Sequence, residues 1–206
     1  MSKYMVERKI TDKGQEKRAR ILATALELFN GYGIEYVGVR EIAKALHMRP
    51  GHLTYYFPDK ERIVLAIGQG LGAANDAIYP NGEVRSLAEF FRRFKALLSN
   101  HVRYRCLLTS ITRALERDPQ MRRGYAARQV RRMNDLRACF RSLVAAGELR
   151  RLTRAEEDHL VACCSLISRG WVVEAVASGY DPADRIPHYL GMLRMIVGTY
   201  RPSSSA

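Results

Sequence analysis

Arg40, Arg49, His52, Thr54, Tyr55, Tyr56 and Lys60 fall in one stretch, 38–60, which reads GVREIAKALHMRPGHLTYYFPDK. Guanidinium, ammonium, imidazole and hydroxyl groups are the donors that meet phosphate oxygens and base edges. His52 suits either a base edge or a phosphate. Chemistry by turnover is not in view, because the chain has no G-x-S-x-G, P-loop, G-x-G-x-x-G or H-E-x-x-H pattern. An enzyme is therefore not expected, and neither is a cofactor. His159 and Cys163 stand four apart on one helical face. Two ligands without a third nearby make a poor metal site, so no metal is expected and a capping or buried histidine is the plainer reading. Cys106 and Cys139 lie on apolar faces, where cysteine behaves as a small core residue.

Two short helices must position the first group. Val39, Ile42, Ala43 and Leu46 recur at helical spacing. His47 and Met48 interrupt them. Arg49 precedes Pro50, and a residue before proline is pushed out of the α region. The second helix thus starts no earlier than Pro50, which suits a first helical position, with Gly51 next and Leu53 and Phe57 facing inward. Pro58 ends it, and Asp59 can cap the helix that follows. Such a unit is either a plain αα-hairpin or a helix-turn-helix whose second helix enters a major groove. Spacing alone does not choose.

The residues carry more. Arg20, Ile21, Leu22, Ala25, Leu28, Phe29, Gly31 and Tyr32, then Ile42 and Ala43, then Gly51, Leu53, Tyr55, Phe57, Lys60 and Glu61 agree at many fixed offsets with the DNA-binding segment of one family. Over about its first third the chain resembles the TetR family of transcriptional regulators. Four positions depart from that pattern. His47 stands where the turn usually has glycine; histidine tolerates positive φ better than most residues. Gly38 replaces a usual hydroxyl cap and is a weaker one. Thr54 replaces the first of two tyrosines. Arg49, in place of a usual serine, adds charge beside the recognition helix. The resemblance implies a homodimer on a palindromic double-stranded DNA operator, with the last two long helices pairing in a four-helix bundle. It also implies an effector pocket among the middle helices, whose filling shifts the fourth helix and changes the separation of the two recognition helices.

Composition fits this. No apolar run reaches the ~18 residues of a membrane span, so no membrane partner is expected. The N-terminus lacks the apolar core of a signal peptide. Cys106, Cys139, Cys163 and Cys164 are too few and too irregular for a disulfide framework, which fits a cytoplasmic protein. The formal charge is +13, which allows a polyanionic partner without naming one. It is uneven: 12 basic and 8 acidic residues in 1–66, but 18 and 5 in 85–154. That excess is either a solvated arginine surface or includes one or two groups for an anionic ligand, among Arg92, Arg93, Arg103, Arg105 and Arg113.

The expected fold class is all-α, with an N-terminal three-helix helix-turn-helix domain over 1–66, a larger helical effector-binding and dimerisation domain over 67–200, and a polar tail, 201–206. Met1 to Lys13 is a basic arm at phosphate or minor groove, or a solvated tail. The first helix spans Gly14 to Tyr32. The fourth, Lys60 to about Ile78, contains Gly68, Gly70 and Gly72, which let it bend or let another helix pack close. Tyr79–Gly82 is a turn. Five helices follow. Ser86, Asp118, the Thr153–Glu156 capping box and Asp181 open four of them, and Pro187 delays the start of the last.

The expected DNA contacts are Arg40, Arg49, Pro50, Gly51, His52, Thr54, Tyr55, Tyr56 and Lys60. An effector with an apolar body and an anionic group is expected against Phe90, Phe94, Leu97, Arg105, Leu108, Ile111, Tyr125, Met133, Phe140 and Trp171, although an ordinary core is the default reading of the apolar members. Leu160, Cys164, Ile167, Leu193, Ile196 and Val197 are the expected dimer seam. The function so read is that of a ligand-responsive regulator, a repressor released by its effector. The alternative is a DNA-anchored protein-interaction module that senses no small molecule.

Overall fold

Apolar residues at helical spacing predict helices throughout, and the computed structural model, which describes residues 12–78, 83–117 and 119–202, agrees. Among the described residues there are nine α-helices and no strand: α1 Asp12–Tyr32, α2 Val39–Ala45, α3 Pro50–Tyr56, α4 Lys60–Asp76, α5 Leu87–Arg103, α6 Arg105–Arg117, α7 Pro119–Ala145, α8 Arg154–Ala177 and α9 Pro182–Gly198. They group into two units, Met1–Gln69 and Gly70–Ala206, divided within α4. The Tyr79–Gly82 turn, Asp118, the arm up to residue 11 and the end of the tail lie outside the described residues.

In the first unit Ile21, Ala25 and Phe29 make one stripe of α1, and each is at most 1% exposed. Ile42, Ala43, Leu53, Phe57 and Ile63 complete the core. Burying side chains of this size contributes about 1.5–3 kcal/mol each. Gly33 ends α1 at φ +90, with its N–H donating to the Phe29 carbonyl. Asp12 and Lys13 belong to α1 rather than to an arm.

In the second unit the core gathers Phe90, Phe94 and Leu98 of α5, Cys139, Phe140 and Leu143 of α7, Leu160, Cys164, Trp171 and Val172 of α8, and Leu193 and Val197 of α9. The Phe90 and Phe140 rings meet at a tilt, 5.5 Å between centroids, as do Trp171 and Tyr189 at 5.4 Å. The expected caps form. Ser86 accepts from the Glu89 N–H, Asp181 from the Ala183 N–H, and Thr153 and Glu156 close a capping box. One expectation fails: Pro187 does not delay α9 but sits inside it, because Pro182 takes the first helical position behind the Asp181 cap. Length and composition would also let α8 cross a membrane. Here it is a packed helix with apolar residues on two faces, one of them in the core.

Candidate DNA interface and effector domain

The geometry of the DNA-facing segment follows from its turn. The Leu46 N–H bonds back to Ile42 and closes α2. His47 then takes φ 54, the left-handed conformation usual for glycine. Arg49 is extended at the N-cap and Pro50 begins α3. The short α3 buries only Leu53, which is fully enclosed. Arg49, Pro50, Gly51, His52, Thr54 and Tyr55 are all exposed, Tyr55 by 70%. Tyr56 is half-buried and meets the Tyr55 ring edge-on at 5.2 Å. Arg40 is exposed on α2.

Local bonds hold this surface. Arg18 donates to the Tyr56 carbonyl at 3.3 Å, and its guanidinium lies 4.3 Å from the Phe57 ring centre, tying the end of α3 to α1. Lys60 Nζ donates to the Ile34 carbonyl at 2.9 Å; an ammonium has two further hydrogens to offer. The Thr54 hydroxyl donates to the Gly51 carbonyl. Gly38 has no side chain with which to cap α2, so half of a capping box remains: its N–H donates to Glu41 at 2.9 Å. Backbone hydrogen bonds hold the Glu41 carboxyl below the usual range.

A groove of about 340 Å³ opens between α1 and the turn, lined by Lys17, Arg20, Ile21, Leu46, His47, Met48, Arg49 and His52. Arg49 and His52 thus share a basic hollow with Lys17 and Arg20. These α1 residues were not among the expected DNA contacts, and only their charge on the polar side of the α1 stripe could have marked them. The hollow has the charge and size to take a phosphate group.

The second unit does not bring its ten expected effector residues together. Phe90, Phe94, Phe140 and Trp171 are core residues, and Leu97, Leu108 and Met133 pack against that core. Ile111 and Tyr125 are half-buried outside it, and Arg105 is half-buried at the start of α6. A polar network is set into the same unit. Trp171 Nε1 donates to His101 Nδ1 at 3.3 Å. An indole nitrogen only donates, so Nδ1 is the bare nitrogen and Nε2 carries the hydrogen. Asn75 Nδ2 stands 3.4 Å from Nε2, and as both carry hydrogens they do not bond in this tautomer; Asn100 Nδ2 donates to Asn75 Oδ1 at 3.2 Å. Burial and then the nearby Arg132 charge push the His101 imidazole down to about 4, so it is neutral at pH 7. Burial raises the thiols of Cys106 to about 11 and of Cys139 to about 12, and that of Cys164 further, leaving them inert. His159 is exposed, and no group of three metal-ligating side chains occurs among the described residues.

Residues 21–67 match the family model described as bacterial regulatory proteins, tetR family. Residues 74–205 match the model described as bacterial transcriptional repressor, TetR. The chain belongs to the TetR family. It is accordingly a DNA-binding transcriptional regulator. Similar solved structures include a TetR-family transcriptional regulator from Marinobacter aquaeolei VT8, with a TM-score of 0.82, 21% identity, and coverage of 90% of this chain and 91% of that one. PfmR, a TetR-family transcriptional regulator from Thermus thermophilus, has a TM-score of 0.66 at 21% identity over 87% of this chain and 95% of its own. A tetR-family regulatory protein from Rhodococcus RHA1 has a TM-score of 0.64 at 18% identity over 87% and 96%. No curated protein matches the chain.

Of the six residues expected at a dimer seam on α8 and α9, four lie in the core of their own unit. Leu160, Cys164, Leu193 and Val197 are at most 1% exposed within their own unit. They fill the core and are not available to a partner; Ile167 and Ile196 are half-buried. The outward apolar side chains are Leu166, Val173 and Val176 on α8 and Met192 and Met195 on α9, with Leu166 exposed by 66% and Met195 by 77%. Their spacings of seven and three follow the 3.5-residue period of helices that pair side by side.

Proposed function

We propose that this TetR-family chain is a repressor that binds a palindromic operator as a homodimer and releases it when a small effector occupies the second unit. The observation that carries the DNA half is α3, anchored by Leu53 and presenting Arg49, His52, Thr54 and Tyr55 to solvent beside the basic hollow of α1. Phosphate contacts from Lys17, Arg20, Tyr55 and Lys60 set the register, while Arg49 and His52 stand where bases are read. Arg40 and the backbone of Pro50 and Gly51 lie along the same surface.

The homodimer reading rests on the outward stripes of α8 and α9. A permanent interface buries roughly 2,000 Å² or more of mostly apolar surface, and these stripes supply such side chains. Pairing places two recognition helices about 34–36 Å apart, one duplex turn. The effector acts through α4, the helix that both units share. The protein works in the cytoplasm and needs no cofactor or turnover. The test is selection of duplexes from a random-sequence pool. A palindrome with half-sites one turn apart supports the reading, and a pool that stays unenriched overturns it. If the selected duplex binds but no small molecule ever releases it, the second unit is a docking module for another protein.

A further inference from the structure

The hollow between α1 and the turn differs from the other charged surfaces of the chain. Lys17 and Arg20 line it from α1, His47 and Arg49 from the turn, and His52 from α3. No acidic residue is in its lining. None of these five side chains makes a hydrogen bond or an ion pair among the described residues. On α7, by contrast, Arg131, Arg137 and Arg141 each meet a carboxylate. Three fixed positive charges thus share one concavity with no carboxylate in its walls. A cleft lined by charge of one sign raises the local concentration of the opposite ion.

The floor of the hollow is apolar and held in place. Ile21 and Leu46 are 0% and 7% exposed, and Met48 is half-buried in the same lining. Backbone bonds pin the turn that forms one wall: the His47 N–H donates to the Lys44 carbonyl at 3.1 Å and the Met48 N–H to the Ala43 carbonyl at 2.9 Å. The volume of about 340 Å³ falls at the lower end of the roughly 300–1,000 Å³ of small-molecule sites. A duplex phosphate would use the cationic rim and leave the apolar floor unused. It also brings a single negative charge against the three of Lys17, Arg20 and Arg49, whereas a phosphate monoester brings about 1.5–2 at pH 7.

We infer that the hollow is a ligand site separate from any in the second unit, that it takes a small phosphate monoester with an apolar body, and that this ligand and DNA exclude each other. The Arg20 and Arg49 guanidinium groups and the Lys17 ammonium hold the phosphate. The His47 and His52 imidazoles add N–H donors, and Ile21, Leu46 and Met48 take the body. Arg49 and His52 cannot serve the monoester and the duplex at once, so occupancy releases DNA directly. The inference rests on the reading of this surface as the DNA interface and adds a regulatory input to it.

The test uses the full-length protein, with chloride added to hold ionic strength constant. The probes are phenyl phosphate, adenosine monophosphate, inorganic phosphate, and the neutral parents phenol and adenosine. Isothermal calorimetry without DNA reads binding, and fluorescence anisotropy on a selected duplex reads competition. At least one monoester is expected to bind tenfold or more tightly than inorganic phosphate, and its neutral parent not at all. Lys17→Ala with Arg20→Gln, two changes at exposed positions, should weaken that monoester tenfold or more. Arg151→Gln with Arg154→Gln, an equal loss of charge at exposed positions of the second unit, should not. In the native protein the apparent Kd for the duplex should rise in proportion to monoester concentration without levelling off. A plateau would mean that both bind at once, as in allosteric coupling, and overturns the shared site. Monoester binding no tighter than that of inorganic phosphate, or unchanged in the Lys17/Arg20 double variant, also overturns the inference. If no monoester binds but the double variant still loses duplex affinity, the inference falls and the DNA reading stands. If the double variant keeps full duplex affinity, the DNA reading of this surface falls, and the inference with it.

Discussion

The two units use their polar groups in opposite directions. In the first, Arg49, His52 and Tyr55 project outward from a short helix held by Leu53, and their partner is a polymer of fixed geometry. In the second, Asn75 and His101 are turned inward, and Arg131, Arg137 and Arg141 of α7 meet carboxylates of the same chain. The difference shows what each partner demands. A duplex dictates the spacing of the groups that touch it, so the turn and α3 are nearly determined residue by residue. An enclosed ligand site needs only that some helices bring suitable groups together, which many sequences achieve. The surplus of basic residues in 85–154 therefore says little about DNA, whereas the smaller surplus in 1–66 bears on it directly.

That contrast can be broken at several points. The largest effect is expected in the second core. Phe140→Ala should cost about 3–5 kcal/mol, as truncation of an enclosed aromatic does, measured by denaturant unfolding followed by circular dichroism. A loss below about 1 kcal/mol would mean that the site yields and is not core. Next comes the DNA surface. Lys17→Ala should weaken binding to all duplexes alike and reduce the log–log salt slope by about 0.9, one phosphate contact. Arg151→Ala, in the second unit, should leave the slope unchanged, and equal effects from the two would erase the distinction between the units.

A third, subtler difference concerns pH. His101 has a folded-state value of about 4 against 6.5 for an ordinary histidine, so the unfolded chain binds the extra proton between these values. Stability from this group is full above about pH 6.5 and is lost as pH falls toward 4. Comparing unfolding of the native chain and His101→Gln across pH 4–7 should show a shallower decline in the variant. Parallel curves would refute the buried neutral histidine. The smallest effect belongs to Gly38. Its backbone is extended, as an N-cap requires, so Gly38→Ser should add a few tenths of a kcal/mol. A new Cβ would come within 3.0 Å of the Glu41 carboxylate, so a net loss would show that this side chain cannot move aside.

Legibility in the sequence followed the same line. The nine helices, the start of α3 at Pro50, the positive φ at His47 and the caps at Ser86, Thr153 and Asp181 were readable because each rests on local chemistry: a proline, a hydroxyl, a carboxylate or an apolar period. Four residues read as a seam lie in the core because α8 and α9 are apolar on two faces. Periodicity alone cannot tell Leu193, which faces its own core, from Met195, which faces out. Lys17 and Arg20 joined the DNA surface only through the fold, since the turn that they face lies some thirty residues further along the chain.

As proposed, the dimer reads DNA with one unit and pairs through the outward face of the other. Sedimentation of the protein with a selected palindromic duplex tests it most directly, comparing the native chain with Met195→Glu. The expected result is two protomers per duplex for the native chain, with Met195→Glu a folded monomer that has lost most of its DNA affinity. A native chain that binds as one protomer per duplex, or a Met195→Glu variant that still dimerises and binds with full affinity, would contradict the account.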